Sequence, residues 1–271
     1  MSKLVVKEYD CLAFEEAQNC IKIAFLSDLH GASYKTRDGK DRITEAVRRK
    51  NPDMVIAGGD MIIGIKPGKA VSKAKLDSSI SILTDLAKDF KVYHAIGNHE
   101  ERLEKSVYDL YFDALKKAGV EVLDDSFADI KLEGGKVMRM YGLSLPYEYY
   151  PKFKKKELSV SVIERLLHAN RVSGGIKNED IRLLLAHNPN YADAYEEFGA
   201  DITLSGHLHG GVVRLFNRGL IGPDFKLFPR FSGGSYMGNH MNLFVSCGLG
   251  EHVVPFRIND PYEIMIINVY Y

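Results

Sequence analysis

Apolar residues fall into short runs along the chain, separated by polar stretches that carry glycine, proline or aspartate. Residues 3–7 alternate weakly and read as a short strand, while residues 21–27 form a mostly apolar run between polar flanks, the pattern of a buried strand. Beyond a polar loop over 28–40, Asp41 can cap a helix with Ile43, Ala46 and Val47 on one face. Asn51-Pro52-Asp53 ends that helix before the apolar run 54–57. The unit then repeats: residues 76–90 set Leu76, Ile80, Leu83 and Leu86 at helical spacing, and residues 91–96 follow as a strand. A third helix is predicted over 101–118, ended by Gly119. Strands alternating with helices imply a central parallel or mixed sheet covered by helices, an α/β fold.

The second half changes rhythm. Residues 127–132 and 136–143 flank Glu133-Gly134-Gly135 as a hairpin, residues 181–186 and 201–204 are short apolar strands, and two more strands are predicted over 243–246 and 263–269. No repeat or low-complexity tract interrupts the chain, which reads as one domain over residues 1–271. One segment departs from this economy. Residues 146–178 carry Tyr147, Tyr149 and Tyr150, then Lys152, Lys154, Lys155 and Lys156, then a predicted helix over 159–169. This is a candidate lid or cap insertion; the plainer reading is a solvated helical insertion with its aromatic residues packed underneath.

Composition narrows the class. The chain has 271 residues, 36 basic and 36 acidic side chains, and a 45% hydrophobic share, an ordinary soluble globular balance large enough to bury a core without staples. Cys11, Cys20 and Cys247 are odd in number and form no Cys-x-x-Cys pair, which argues against a disulfide framework or zinc ribbon and fits a reducing compartment. Zero net charge disfavours a nucleic-acid binder with a broad basic surface. No window approaches a membrane span, and the N-terminus lacks a secretory pattern, so the default expectation is a cytoplasmic protein. A basic loop with Lys66, Lys69, Lys73 and Lys75 leaves a peripheral membrane or lipid contact open, against the plainer reading of a solvated loop.

The candidate chemistry sits at strand ends. Asp28-Leu29-His30 follows the first buried strand, Gly59-Asp60 the next, and Gly97-Asn98-His99-Glu100 the third. His187 and Gly206-His207-Leu208-His209 follow two later strands. In open α/β sheets such clusters converge on one crevice at the carboxyl ends of the strands. Carboxylates and imidazoles without cysteine suit a catalytic divalent ion, zinc, iron or manganese, and the ligand count permits two ions. His94 shares a strand face with Val92 and Ile96 and reads as a core histidine. His168 and His252 default to structure or surface. Gly238-Asn239-His240 repeats the letters of the third cluster, but without a preceding apolar strand it reads as a turn. Arg214, just beyond His209, is a candidate phosphate-binding guanidinium or one half of a cross-strand salt bridge.

Taken in order, Asp28-x-His30, Gly59-Asp60, Gly97-Asn98-His99-Glu100, His187 and Gly206-His207-x-His209 resemble the full motif series of the calcineurin-like metallophosphoesterases. The tail, with Gly210-Gly211-Val212-Val213-Arg214, Leu227-Phe228-Pro229-Arg230 and Val245-Ser246-Cys247-Gly248-Leu249-Gly250 followed by Arg257, is similar to the bacterial branch that includes membrane-associated phosphohydrolases. The resemblance implies two mixed β-sheets packed as a sandwich with helices on the outer faces. It implies one metal ion on Asp28, His30 and His209, a second on Asn98, His187 and His207, and Asp60 bridging them. It leaves His99 as the catalytic acid beside a small phosphodiester, pyrophosphate or phosphomonoester, attacked by a metal-bridging hydroxide. The protein-phosphatase continuation of Gly-Asp is absent, since Met61-Ile62-Ile63-Gly64 follows. Two alternatives are a nuclease of the same fold, disfavoured by charge, and a non-catalytic binding scaffold, disfavoured because every ligand position is filled. The expected partner is a small phosphorylated substrate. The substrate, the metal, the oligomeric state and the role of 146–178 are not legible at this level.

Overall fold

The structure is a computed structural model that describes residues 3–14, 16–31, 39–64, 71–151, 156–168, 177, 180–211, 214–215, 218–220, 227–250, 257 and 259–271. The first half builds β1 (Leu4–Leu12), β2 (Cys20–Leu26), α1 (Gly39–Lys50), β3 (Met54–Ala57), α2 (Lys73–Leu86), β4 (Lys91–Ala95), α3 (Lys105–Lys117) and β5 (Glu121–Leu123). The second half builds β6 (Ser126–Lys131), β7 (Val137–Leu143), α4 (Val160–Leu166), β8 (Ile181–Ala186), α5 (Ala192–Glu197) and β9 (Ile202–Ser205). It closes with the short pair β10 (Arg214–Leu215) and β11 (Arg218–Gly219), then β12 (Gly234–Met237), β13 (Asn242–Val245) and β14 (Tyr262–Tyr270).

Two six-stranded sheets result, ordered β1-β14-β2-β3-β4-β5 and β12-β13-β9-β8-β7-β6. In the first, β2, β3, β4 and β5 run parallel and β14 is antiparallel to β2 while parallel to β1. In the second, β13, β9, β8 and β7 run parallel, with β12 and β6 antiparallel at the edges. Both sheets are therefore mixed, as the resemblance implied, whereas strand-helix alternation alone pointed to a single central sheet. Three apolar layers account for the difference. Ile23, Phe25, Ile56 and Met265 of the first sheet meet Met138, Met140, Leu183 and Phe244 of the second between the sheets. On the outer face of the first sheet, Ala24, Val55 and Val92 pack under Ile43, Leu83, Leu86 and Leu115 of the three long helices. On the outer face of the second, Tyr141, Leu184 and Leu243 pack under Ile163, Leu167 and Tyr195. Strands buried on both faces read as continuous apolar runs, and each fully buried Leu or Ile contributes roughly 1.5–3 kcal/mol.

Several boundaries move. The strand expected over 3–7 continues to Leu12, because its whole length pairs in parallel with β14. The first helix begins at Gly39 rather than after an Asp41 cap. The third begins at Lys105, not 101, because Glu101 and Leu103 bond back to Gly97 and Glu100 in turns. Strand β5 and the edge strands β10 to β12 had no apolar run to announce them. Within 146–178, Tyr149, Tyr150, Leu158 and Ile163 are buried under the second sheet. Lys152, Lys154 and Lys155, Lys66 and Lys69, and His252 lie outside the described residues. His94 is fully buried and its Nε2 lies 3.0 Å from the Tyr111 hydroxyl. The decoy Gly238-Asn239-His240 forms the turn between β12 and β13, with His240 bonded to Glu196.

Candidate metal centre

Five parallel strands, β2, β3 and β4 of one sheet and β8 and β9 of the other, end at the same edge of the sandwich, and each hands its loop to one cleft. Two clusters form there: Asp28, His30 and His209, and Asp60, His187 and His207, the ligand atoms within each lying no more than 4.8 Å apart. A third grouping, His30, Asp60 and His99, links them. Asp28, His30, Asp60, His99, His187, His207 and His209 are thus brought together from loops up to 181 positions apart.

The backbone is bent to do this. Asp28, His30, Asp60, His207 and His209 all have φ between 46° and 71°, the left-handed region that a Cβ disfavours. Strain of this kind costs on the order of 1–3 kcal/mol per residue and persists where surrounding contacts over-determine it. Those contacts are visible. Asp28 N bonds to Gly59 O at 3.0 Å and His30 N to Asp60 O at 3.0 Å, so the loops after β2 and β3 are laced together. His207 N donates to both Asp28 carboxylate oxygens, at 3.0 and 3.1 Å, tying the second sheet to the first. Glycine is needed where this lacing is tightest: a Cβ on Gly206 would overlap the Ser27 hydroxyl and the Asp28 carboxylate, and one on Gly97 the Asp60 carboxylate.

Glu100 is the residue whose part was not legible beforehand. Its side chain is fully buried and spent on backbone amides. One oxygen accepts from Asp60 N and Gly97 N at 2.8 and 3.0 Å, the other from Met61 N and Ile62 N at 2.7 and 3.2 Å. Burial and the neighbouring Asp60 carboxylate push its pKa up to about 7, against the pull of those amide donors. The only forward signal was its adjacency to His99. The His99 ring is held instead by Gly64, whose backbone lies 3.0 Å from Nδ1, with Nε2 3.9 Å from Asp60 Oδ2.

The donor geometry suits cations. Asp60 Oδ1 accepts from His99 N at 2.8 Å, which leaves Oδ2 facing the cleft, 3.0 Å from His187 Nε2. His187 Nδ1 donates to Gly58 O at 2.8 Å, the outer hydrogen bond that fixes a ligating imidazole and aims its other nitrogen inward. His30 Nε2 and His209 Nε2 converge to 2.9 Å, and His209 Nε2 is 3.2 Å from Asp28 Oδ1. Asn98 Oδ1 is buried without a hydrogen-bond partner, an acceptor in need of a cation or donor. Electrostatics agree. Burial opposes charge on His187, yet the Asp60 and Asp28 carboxylates push its pKa up to about 10, so a proton is favoured where a cation would sit. Burial also works against Asp60, but the surrounding His187, His99 and His30 hold it well below the usual carboxylate range, while burial lifts Asp28 to about 6. Two carboxylates, an amide oxygen and imidazoles, with no thiolate, fit borderline divalent ions.

Residues 21–211 match the calcineurin-like phosphoesterase family. The chain belongs to that family. An uncharacterised metallophosphoesterase of Helicobacter pylori is 26% identical over 253 residues, 92% of this chain and 60% of that protein. A Danio rerio transmembrane protein with a metallophosphoesterase domain is 26% identical, covering 97% of this chain and 56% of its own length. Escherichia coli phosphodiesterase YaeI is 23% identical, covering 94% and 84%. The chain spans about three-fifths of the length of the first of these relatives. Among solved structures, Haemophilus influenzae NAD nucleotidase shares the fold, with a TM-score of 0.52 and 14% identity over 84% of this chain and 50% of that one. No described helix is long and apolar enough to cross a membrane.

Arg214 is buried on β10. Its Nη1 donates to Gly210 O at 3.1 Å, to Ser232 O, and to Cys247 Sγ at 3.2 Å, which joins the residue after His209 to two later segments of the chain. Tyr150, absent from the predicted site, sets its ring edge-on to His207 with centroids 5.0 Å apart.

Proposed function

We propose that this protein hydrolyses a small phosphodiester, pyrophosphate or phosphomonoester at a dinuclear centre, with Asp28, His30 and His209 holding one ion and Asn98, His187 and His207 the other. The observation that supports this most directly is that Asp60 groups with His187 and His207 on one side and with His30 and His99 on the other, and so stands between the two clusters. Bound there, two manganese, iron or zinc ions would polarise a phosphoryl oxygen and lower the pKa of a water to serve as nucleophile. The chain's own residues do the rest. The Glu100 tether and the Gly58 carbonyl fix Asp60 and His187, so the donors need no rearrangement on loading. His99 is oriented through Nδ1 by Gly64, leaving Nε2 beside the cleft to give a proton to the departing oxygen. Substrate choice then falls to the loops around the cleft, with residues 146–178 as the proposed cap and Arg214 as a holder of the His209 loop or of substrate phosphate.

The test is reconstitution. Protein stripped with chelator and reloaded with manganese, iron or zinc should bind about two ions per chain and hydrolyse aryl phosphodiesters or monoesters. His207→Ala should lose an ion together with activity. His99→Asn should keep both ions and lose about 10²–10⁴-fold in kcat. Protein that takes up no ion, or stays inactive with two bound on mono-, di- and pyrophosphate substrates, overturns the proposal and favours the scaffold reading. Cleavage of DNA in preference to small esters would favour the nuclease.

A further inference from the structure

The family match ends at residue 211, yet the segment beyond it reaches back to the metal cleft, and Arg257 gathers several of those contacts. Arg257 is buried, with 4% of its side chain exposed. Its Nη1 donates to Cys247 O at 2.8 Å, to Asp260 Oδ2 at 3.1 Å and to Pro261 O at 3.1 Å. Its Nη2 donates to Gly250 O and lies 3.5 Å from His209 Nδ1. The guanidinium also stacks 4.7 Å from the centre of the Tyr262 ring. These contacts are not scattered. Gly250 N donates to Asp28 O at 2.6 Å and Leu249 N to Ser27 O at 3.0 Å, so the carbonyl that Arg257 grips belongs to the strand of chain that backs Asp28. Asp260 packs beneath Gly210, where a Cβ would strike its carboxylate, and Gly210 is the residue after His209. The same fork therefore reaches behind both Asp28 and His209, two donors of one cluster.

We propose that Arg257 is a positioning residue for the Asp28–His30–His209 ion site, and that the segment after residue 211 completes that site by holding Asp28 and His209 in register. The proposal rests on the reading of that cluster as a metal site. A planar fork with five donors can serve several carbonyls and a carboxylate at once, which a lysine ammonium on a flexible stem cannot. Partners that orient ligands from behind typically account for 10–100-fold in metal affinity. Because these contacts run to the chain behind Asp28 and to His209, the Asp28–His30–His209 site is the one expected to weaken.

The experiment compares full-length wild type, Arg257→Gln and Arg257→Lys, each stripped and titrated with manganese, read by bound metal per chain, and with cobalt, read by visible absorption. Leu115→Ala, a core truncation in α3 far from the cleft, serves as the stability control. The expected result is that both Arg257 variants lose about 10–100-fold affinity for one ion, keep the second near wild type, and stop at about one ion per chain where wild type reaches about two. Leu115→Ala should melt lower yet bind as wild type does. Rescue by lysine would mean that charge and not the fork matters, and would overturn the proposal. So would equal weakening of both ions, or variants that bind as wild type. If wild type itself takes up no ion, the metal-centre reading fails first, and that outcome is distinguishable from all the others.

Discussion

Replacing Glu100 by glutamine changes one atom and leaves the shape of the side chain intact. In the wild type each carboxylate oxygen accepts two backbone N–H groups: Asp60 and Gly97 on one, Met61 and Ile62 on the other. A carboxamide keeps one such oxygen and presents an NH2 to the other pair, so two buried donors lose their acceptor. At about 1–3 kcal/mol for each orphaned buried group, the cost is about 2–6 kcal/mol. That is a large part of the roughly 5–15 kcal/mol by which a domain is stable. Urea unfolding of chelator-stripped protein, followed by circular dichroism, isolates this loss from any stabilisation by bound metal. Glu148→Gln, which removes an exposed pair with Lys156, is the matched control and should leave stability close to wild type. Because Asp60 hangs from the Glu100 tether, manganese affinity should fall as well. A Glu100→Gln protein within about 1 kcal/mol of wild type would refute the reasoning. It would mean that Glu100 is protonated in the apo protein and that one oxygen suffices to hold the turn.

His94 predicts a pH dependence. Burial pushes its folded pKa down to about 4 from an ordinary 6.5, so the unfolded chain binds the proton more readily. Its contribution is complete above pH 6.5 and is lost as pH falls from 6.5 towards 4, about 3 kcal/mol in all and about 2 kcal/mol by pH 5. Comparing Tyr111→Phe with the His94→Leu/Tyr111→Phe double variant in urea at pH 7.5 and pH 5 isolates it; parallel pH slopes would count against it. Gly206→Ala drives a methyl into Ser27 and Asp28. It should lower stability by about 1–3 kcal/mol and weaken manganese binding, read by thermal melts and metal titration; unchanged values in both would contradict the close packing described.

The candidate donors were legible because their chemistry is local in character even though their geometry is not. Asp28, His30, Asp60, Asn98, His187, His207 and His209 each follow an apolar run, and a run of buried strand followed by a polar cluster is a pattern that sequence displays. The strands β2, β3, β4 and β8 were legible for the same reason: they are buried on both faces and leave continuous apolar runs. The edge strands β10, β11 and β12 were not, being short or half-exposed, with pairing and not composition defining them.

Three things belong to the tertiary structure alone. The division of one strand-helix alternation into two sheets depends on which apolar faces meet, and Ile56 or Leu183 looks the same in sequence whichever layer it joins. Glu100 is one letter beside His99, and only the fold turns its carboxylate onto four backbone amides. Arg257 carries no spacing relation to His209 or Asp28, and only the fold brings its guanidinium behind them. The sequence by itself determined which groups can bind a cation, because that is a property of side-chain chemistry. Their convergence, and what holds them against left-handed backbone strain, was decided by contacts between residues distant along the chain, which no local pattern encodes.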